Sequence, residues 1–144
     1  MVRAESISGS LIGNVRAYVQ GDLKSPQDFE HVHSKDVEIG FANYDQDGVD
    51  DPHFHPIATE AQVVISGFVE LLNIDTGKQI DLAPGDFYVV EPGVKHVQRA
   101  TSGTRVLIVK WPSLNDKTLI EPDAATQLWI AESAKREATP DEGF

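Results

Sequence analysis

Between about residue 10 and residue 111, apolar and polar positions alternate in short runs rich in Val, Ile, Phe and Tyr. Gly, Pro, Asn and Asp bound these runs, which is the pattern of β-strands separated by turns. Strands are predicted at Leu11–Val19, Val37–Tyr44, His53–Ile57, Ala61–Asn73, Gln79–Leu82, Asp86–Val90, Lys95–Ala100 and Thr104–Trp111. Gly67 marks a stop inside the fourth run. Asp75-Thr76-Gly77-Lys78 and Ser102-Gly103 read as hairpin turns. No helical segments alternate with these strands, so the expected class is an all-β sandwich or barrel and not a parallel α/β sheet.

Two runs, VVIS and VLIV, are apolar at consecutive positions, so the strands at 61–66 and 105–109 should be covered on both faces. One face belongs to the interior. The other calls for a helix or a second subunit, which favours a homodimer; packing of one sheet on another is the plainer alternative. After Trp111 the pattern changes. Pro112 and Pro122 punctuate a loop, and DAATQLWIAESAKREA then predicts a helix of about 15 residues. Asp123 is placed to cap it, and Pro140 lies beyond its end. Ala124, Leu128 and Ala131 fall on one stripe, widened by Trp129 and Ile130, which reads as core packing. The chain is expected to form one domain: an N-terminal strand and connecting segment (1–34), a barrel core (35–111) and a C-terminal loop and helix (112–144).

Composition narrows the possibilities. The 144 residues are 40% hydrophobic and 24% charged, ordinary for a folded domain. The absence of Cys excludes disulfides, thiolate metal sites and cysteine nucleophiles. The formal net charge of −11, with no Lys/Arg cluster to reverse it, speaks against nucleic acid and anionic membranes as partners. With no stretch of signal-peptide or membrane-spanning character, a cytoplasmic protein acting on a small molecule is expected.

The chemistry concentrates in two stretches. In a strand, side chains at i and i+2 share a face, so His53 and His55 project together and Phe54 faces away. Glu60 follows around a bend, and Gly67 closes its strand. Downstream, Gly85 opens a strand, Pro92-Gly93 makes a tight turn and His96 begins the next strand. Buried imidazoles and carboxylates are costly unless something pairs with them, and a metal ion would pair with all four. The tract 31–38, HVHSKDVE, repeats the spacing of His31, His33 and Glu38 but lacks a glycine after Glu38 and a second stretch of its own. His31 and His33 are expected on the surface. The acidic loop Tyr44–Asp51 lacks the Glu and flanking helices of an EF-hand and reads as a solvated turn. No nucleotide-binding glycine motif or nucleophile elbow occurs.

These two stretches resemble the paired motifs of the cupin superfamily. Gly48, His53, His55, Glu60 and Gly67 follow the first motif, with Gly48 one residue too close; Gly85, Gly93 and His96 follow the second. Glu91 and Ala100 stand where that motif has proline and asparagine. The resemblance implies a single jelly-roll β-barrel and one divalent metal held by His53, His55, Glu60 and His96. Such a ligand set suits Fe, Mn, Ni, Cu or Zn. Gln62 and Gln98 share strand parity with Glu60 and His96 and are candidates to support ligands or touch substrate, as are Tyr44, Tyr88 and Arg99. The expected function is that of a metal-dependent enzyme on an oxygen-rich small molecule, either a dioxygenase (an oxidoreductase) or a sugar isomerase or epimerase. The alternative is a non-catalytic sugar-binding or sensor module. Lys110-Trp111-Pro112-Ser113, with Lys117, resembles the barrel exit of small cupins associated with surface-glycan synthesis.

Overall fold

The structure is a computed structural model that describes residues 2–138. A 3₁₀ turn at Ser8–Ser10 leads into twelve strands and one helix. The strands are β1 Val15–Gly21, β2 Val32–His33, β3 Glu38–Tyr44, β4 Gly48–Val49, β5 His53–Phe54 and β6 Thr59–Ser66. They continue with β7 Val69–Asn73, β8 Lys78–Leu82, β9 Phe87–Val90, β10 His96–Ala100, β11 Thr104–Trp111 and β12 Thr118–Leu119, before the helix α1 Ala124–Ala138. One sheet runs β2-β1-β3-β11-β6-β9. The other runs β12-β5-β10-β7-β8, with β4 also on β10. All pairs are antiparallel except β1 with β2. The result is the expected jelly-roll barrel: two twisted sheets facing each other across one core.

Side-chain alternation builds that core. Along β11, Thr104, Val106, Ile108 and Lys110 are buried, while Arg105, Leu107 and Val109 are half-buried on the outer side. Register then sets Val106 opposite Ala42 and Val64, Ile108 opposite Gly40 and Gln62, and Lys110 opposite Glu38 and Glu60. The barrel is therefore apolar at one end, around Val64, Val69 and Val106, and polar at the other. The polar end carries the chemistry.

The predicted run Ala61–Asn73 is two strands. Gly67, at φ +80°, takes the chain from one sheet to the other. A Cβ there would lie 2.1 Å from the Thr104 hydroxyl and 2.5 Å from the Thr104 Cα, so only glycine fits. The predicted first strand starts later than expected, at Val15, because residues 8–10 form the 3₁₀ turn and only Leu11 is buried near them. The short strands β2, β4 and β12 had no hydrophobic run to announce them.

The helix starts where predicted, and Asp123 Oδ1 accepts the Thr126 amide at 2.8 Å as its N-cap. The predicted packing stripe is corrected. Trp129 and Ile130 pack as expected, joined by Thr126, whereas Ala124, Leu128 and Ala131 are exposed. One indole decides this: Trp129 packs with Leu72 and Val97 on the outer face of the second sheet and donates its Nε1–H to Gln79 at 2.8 Å. A buried aromatic outweighs the small contacts of two alanines. Pro140 lies outside the described residues. The helix covers only the second sheet, so the outer face of the first, including Ile65 and Phe87, has no cover within the described residues of this chain.

Gly67→Ala is expected to cost at least about 2 kcal/mol, since it adds both a clash and an unfavourable φ. Urea denaturation should show a lowered midpoint with an unchanged slope.

Candidate metal centre

The polar end of the barrel collects residues from five separate segments. Register pairs His96 on β10 directly with His53 on β5. His55 follows after Phe54, whose side chain faces the other way, and its carbonyl accepts the Gly93 amide at 2.8 Å. The tight turn at Pro92-Gly93, with Gly93 at φ +85°, thus ties the two motif stretches together. Glu60 enters from β6 in the opposite sheet. All four side chains are buried.

One ligand atom each from His53, Glu60 and His96 lies within 4.8 Å of the others, and this is the one such group among the described residues. His55 closes the set: its Nε2 stands 3.1 Å from Glu60 Oε2. Ring centroids are 4.4 Å apart for His53 and His96 and 5.1 Å for His53 and His55.

What fits this cluster to a cation is the state of the Nδ1 atoms. His53 Nδ1 bonds the Asp51 carbonyl at 2.7 Å, His96 Nδ1 bonds the Val94 carbonyl at 2.9 Å, and His55 Nδ1 bonds Asp116 Oδ1 at 2.8 Å. A carbonyl accepts only from N–H, so the proton of each neutral ring sits on Nδ1 and the lone pair on Nε2. Two Nε2 lone pairs, on His53 and His96, then meet the Glu60 carboxylate, and His55 Nε2, paired with Glu60 Oε2 at 3.1 Å, adds a third nitrogen once its proton leaves, the donor set of a metal centre.

Electrostatics agree. Burial lowers the His53 pKa to about 4 and also lowers that of His96, so both are neutral and ready to donate at neutral pH. Burial acts against charge at His55 too, but hydrogen bonds to Glu60 and Asp116 outweigh it and raise the pKa. Burial alone would raise Glu60; the His55 hydrogen bond, the Arg16 charge and Gln62 together hold it well below the usual carboxylate range. Without a cation, a proton on His55 Nε2 faces Glu60 where the ion would sit.

Around the candidate ligands, Gln62 Nε2 donates to Glu60 Oε1 at 3.0 Å, while its buried Oε1 has no partner among the described residues. Tyr88 donates to Gln98 Oε1 at 2.5 Å, Gln98 donates to Tyr44 at 3.3 Å, and Tyr44 donates to Asp50 at 3.1 Å. Burial pushes Tyr44 up to about 12 and Tyr88 well above the ordinary 10, so both phenols keep their protons and act as donors. Gln62, Gln98, Tyr44 and Tyr88 are all buried in the interior. Arg99 lies outside it. Its odd parity on β10 turns it outward, where it pairs with Glu70, donates to the Trp129 carbonyl at 2.8 Å and stacks 4.0 Å from the Trp129 ring. It fastens the helix and cannot reach a substrate at the cluster.

Sequence spacing missed Asp116. It holds His55 through one oxygen and the Ile57 and Ala58 amides through the other, at 2.9 and 2.8 Å, from a loop 61 residues further along the chain. A lone Asp in a loop carries no periodicity, so only the fold reveals it. The other tract separates as well. His33 is exposed, and Glu38 turns into the barrel, 3.2 Å from the Lys110 ammonium. The acidic loop uses its carboxylates on neighbouring protein groups: Asp47 accepts the Ser102 amide at 2.6 Å, and Asp50 pairs with Arg16 at 3.0 Å.

A two-sheet barrel with three histidines and a glutamate converging inside one mouth defines a class of small β-barrel protein. Residues 40–110 match the family model described as a cupin domain, and the chain contains a small cupin domain. No curated protein sequence matches it. Among solved structures it is similar to an uncharacterized conserved protein with a double-stranded β-helix domain from Klebsiella pneumoniae (TM-score 0.62, 21% identity, 85% of this chain and 100% of that one). It is also similar to KdgF from Halomonas sp. (TM-score 0.56, 22% identity, 70% and 80%) and to the DMSP lyase DddQ from Ruegeria pomeroyi (TM-score 0.59, 18% identity, 81% and 56%). At these identities the likeness concerns the fold.

A cation entering this cluster must displace the His55 proton, so apparent metal affinity should rise with pH through the raised titration range of His55. Asp116→Asn should weaken metal binding at high pH by about 10–100-fold. It should also move the midpoint to lower pH, because it removes one of the carboxylates that raise His55. Metal titrations at a series of pH values read both effects, and an unmoved midpoint would contradict this role. His31→Ala and His33→Ala should leave metal content unchanged in elemental analysis.

Proposed function

We propose that this chain is a small metal-dependent enzyme acting on an oxygen-rich small molecule, either as a dioxygenase or as a sugar isomerase or epimerase. The observation that carries the reading is the convergence of three Nε2 atoms and Glu60 inside the barrel mouth, each ring held through Nδ1. His53, His55, His96 and Glu60 would hold one divalent ion, with Fe, Mn, Ni, Cu and Zn all suited to the donors. Such an ion supplies Lewis acidity toward a bound oxygen atom and a place for substrate to chelate.

The chain's own residues set the rest. Gln62 anchors Glu60 and offers an unused acceptor to a hydroxyl from substrate or water. A buried acceptor left without a donor costs about 1–3 kcal/mol, so a partner there is favoured. Tyr44, Gln98 and Tyr88 form a hydrogen-bonded wall that keeps the inner boundary in one arrangement. An open site is favoured over a structural ion, since the barrel already has its own apolar core.

The active form is proposed to be a homodimer. The outer face of the first sheet presents Phe41, Ile65, Phe87, Val89 and Leu107, and Phe87 is 66% exposed. A second copy would bury this surface and the free edge of β9, which is otherwise open to unwanted pairing.

Purified protein should contain a near-stoichiometric transition metal, and His55→Ala should lose most of it. Elemental analysis of both forms decides the matter; metal-free wild type ends the enzyme reading. Oxygen uptake with a candidate substrate supports the dioxygenase, whereas tight sugar binding without turnover would make the chain a binding module. Light scattering should give twice the 15.8 kDa chain mass, reduced to one chain by Phe87→Glu.

A further inference from the structure

We infer that Lys110 selects the substrate of this site: the molecule bound at the metal centre carries a carboxylate, held by the Lys110 ammonium in the polar cavity that Lys110 lines. This rests on the metal reading above and adds the charge class of the substrate to it.

Lys110 stands on the inner wall of β11, directly opposite Glu60 on β6 in the sheet register and on the same buried face. Paired strands lie about 5 Å apart, so its strand is the immediate neighbour of the one that presents Glu60. Its side chain is only 11% exposed, an unusual place for an ammonium. Its ammonium pairs with Glu38 Oε2 at 3.2 Å and carries three N–H donors, more than that single ion pair uses. A buried cation with spare donors is costly unless a ligand or water completes it.

The space facing it is built for that purpose. A cavity of about 180 Å³ lies against Lys110, Glu38, Tyr18, Gln27 and Asn115, and the exposed loop residues Asp22 and Lys24 also line it, so it is reached from solvent. Asn115, on the wall of this cavity, immediately precedes Asp116, which holds His55. Glu38 is itself fixed: its Oε1 accepts the Ser113 hydroxyl at 3.1 Å, and Ser113 Oγ accepts the Asp22 amide at 2.8 Å. The Lys110 head is thereby aimed by a chain of bonds and does not simply fold back on a flexible partner.

Charge argues for the class of ligand. One ammonium paired with one carboxylate leaves a neutral couple with unspent donors, suited to a single additional negative charge. A phosphate dianion would meet both Glu38 and Glu60 and be repelled by them. A neutral sugar would leave the ammonium incompletely paired. A hydroxy or keto acid satisfies both sides, with its oxygen toward the ion and its carboxylate toward Lys110.

The test uses the metal-loaded protein and calorimetric titration with lactate, pyruvate and gluconate against their uncharged amides. At least one acid should bind wild type more than tenfold tighter than its amide. Lys110→Met should weaken that acid by about 10–100-fold, the range of a charged hydrogen bond, leaving the amide and the metal content unchanged. Because the single change strands Glu38, the double variant Lys110→Met with Glu38→Gln repeats the test with a neutral cavity. Equal binding of acid and amide, no binding of any acid, or full acid affinity in the double variant with metal retained would each overturn the inference. Metal-free wild type that still binds acid through Lys110 would instead remove the metal reading and leave the anchor standing.

Discussion

Three hydrogen bonds to imidazole Nδ1 atoms govern this molecule's chemistry. Two run to backbone carbonyls within two residues of the ring, and the third runs to a carboxylate on a distant loop. Each bond fixes a tautomer and a ring direction together, and without them the same histidines would be polar residues of no particular aim. The backbone carbonyls are provided by bends that bring the chain into β5 and β10. Strand geometry therefore orients two ligands at no added cost in side-chain entropy, and the loop carboxylate completes the third.

The barrel accommodates this polar end because its two ends are made differently. Val64, Val69, Leu71, Val106 and Ile108 pack against one another and supply the hydrophobic stabilisation. Toward the mouth the same alternation delivers Glu60, Gln62, Glu38 and Lys110 to the interior wall. Burying these groups is tolerated because each is hydrogen-bonded or ion-paired to a neighbour. Unused capacity remains on Gln62 Oε1, which has no partner among the described residues. Outside the barrel, Arg99 and Trp129 tie the helix to the second sheet, so stability on that side and chemistry within rest on separate residues of β10.

Much of this was legible in the linear chain. The strand runs, the two turns, the helix with its Asp123 cap and the shared face of His53 and His55 follow from local rules: alternation of two, turn residues at sharp bends, and a polar pair at i and i+2. The helix face was read in part: Trp129 and Ile130 pack as expected, while Ala124, Leu128 and Ala131, grouped with them by spacing alone, stay exposed. Arg99 was misassigned because parity relative to His96 and Gln98, not proximity in sequence, sets the wall on which a residue stands.

The chain by itself determined which residues have metal-binding chemistry and which strands present them, because both depend on neighbours a few positions apart. Tertiary structure alone decided that Asp116 would hold His55, that Glu38 would leave its own histidines and join Lys110, and that Lys110 would stand beside Glu60. Those are pairings across sheets and loops. Register and closure create them, and no local spacing encodes the distance between two segments that meet only when the barrel shuts.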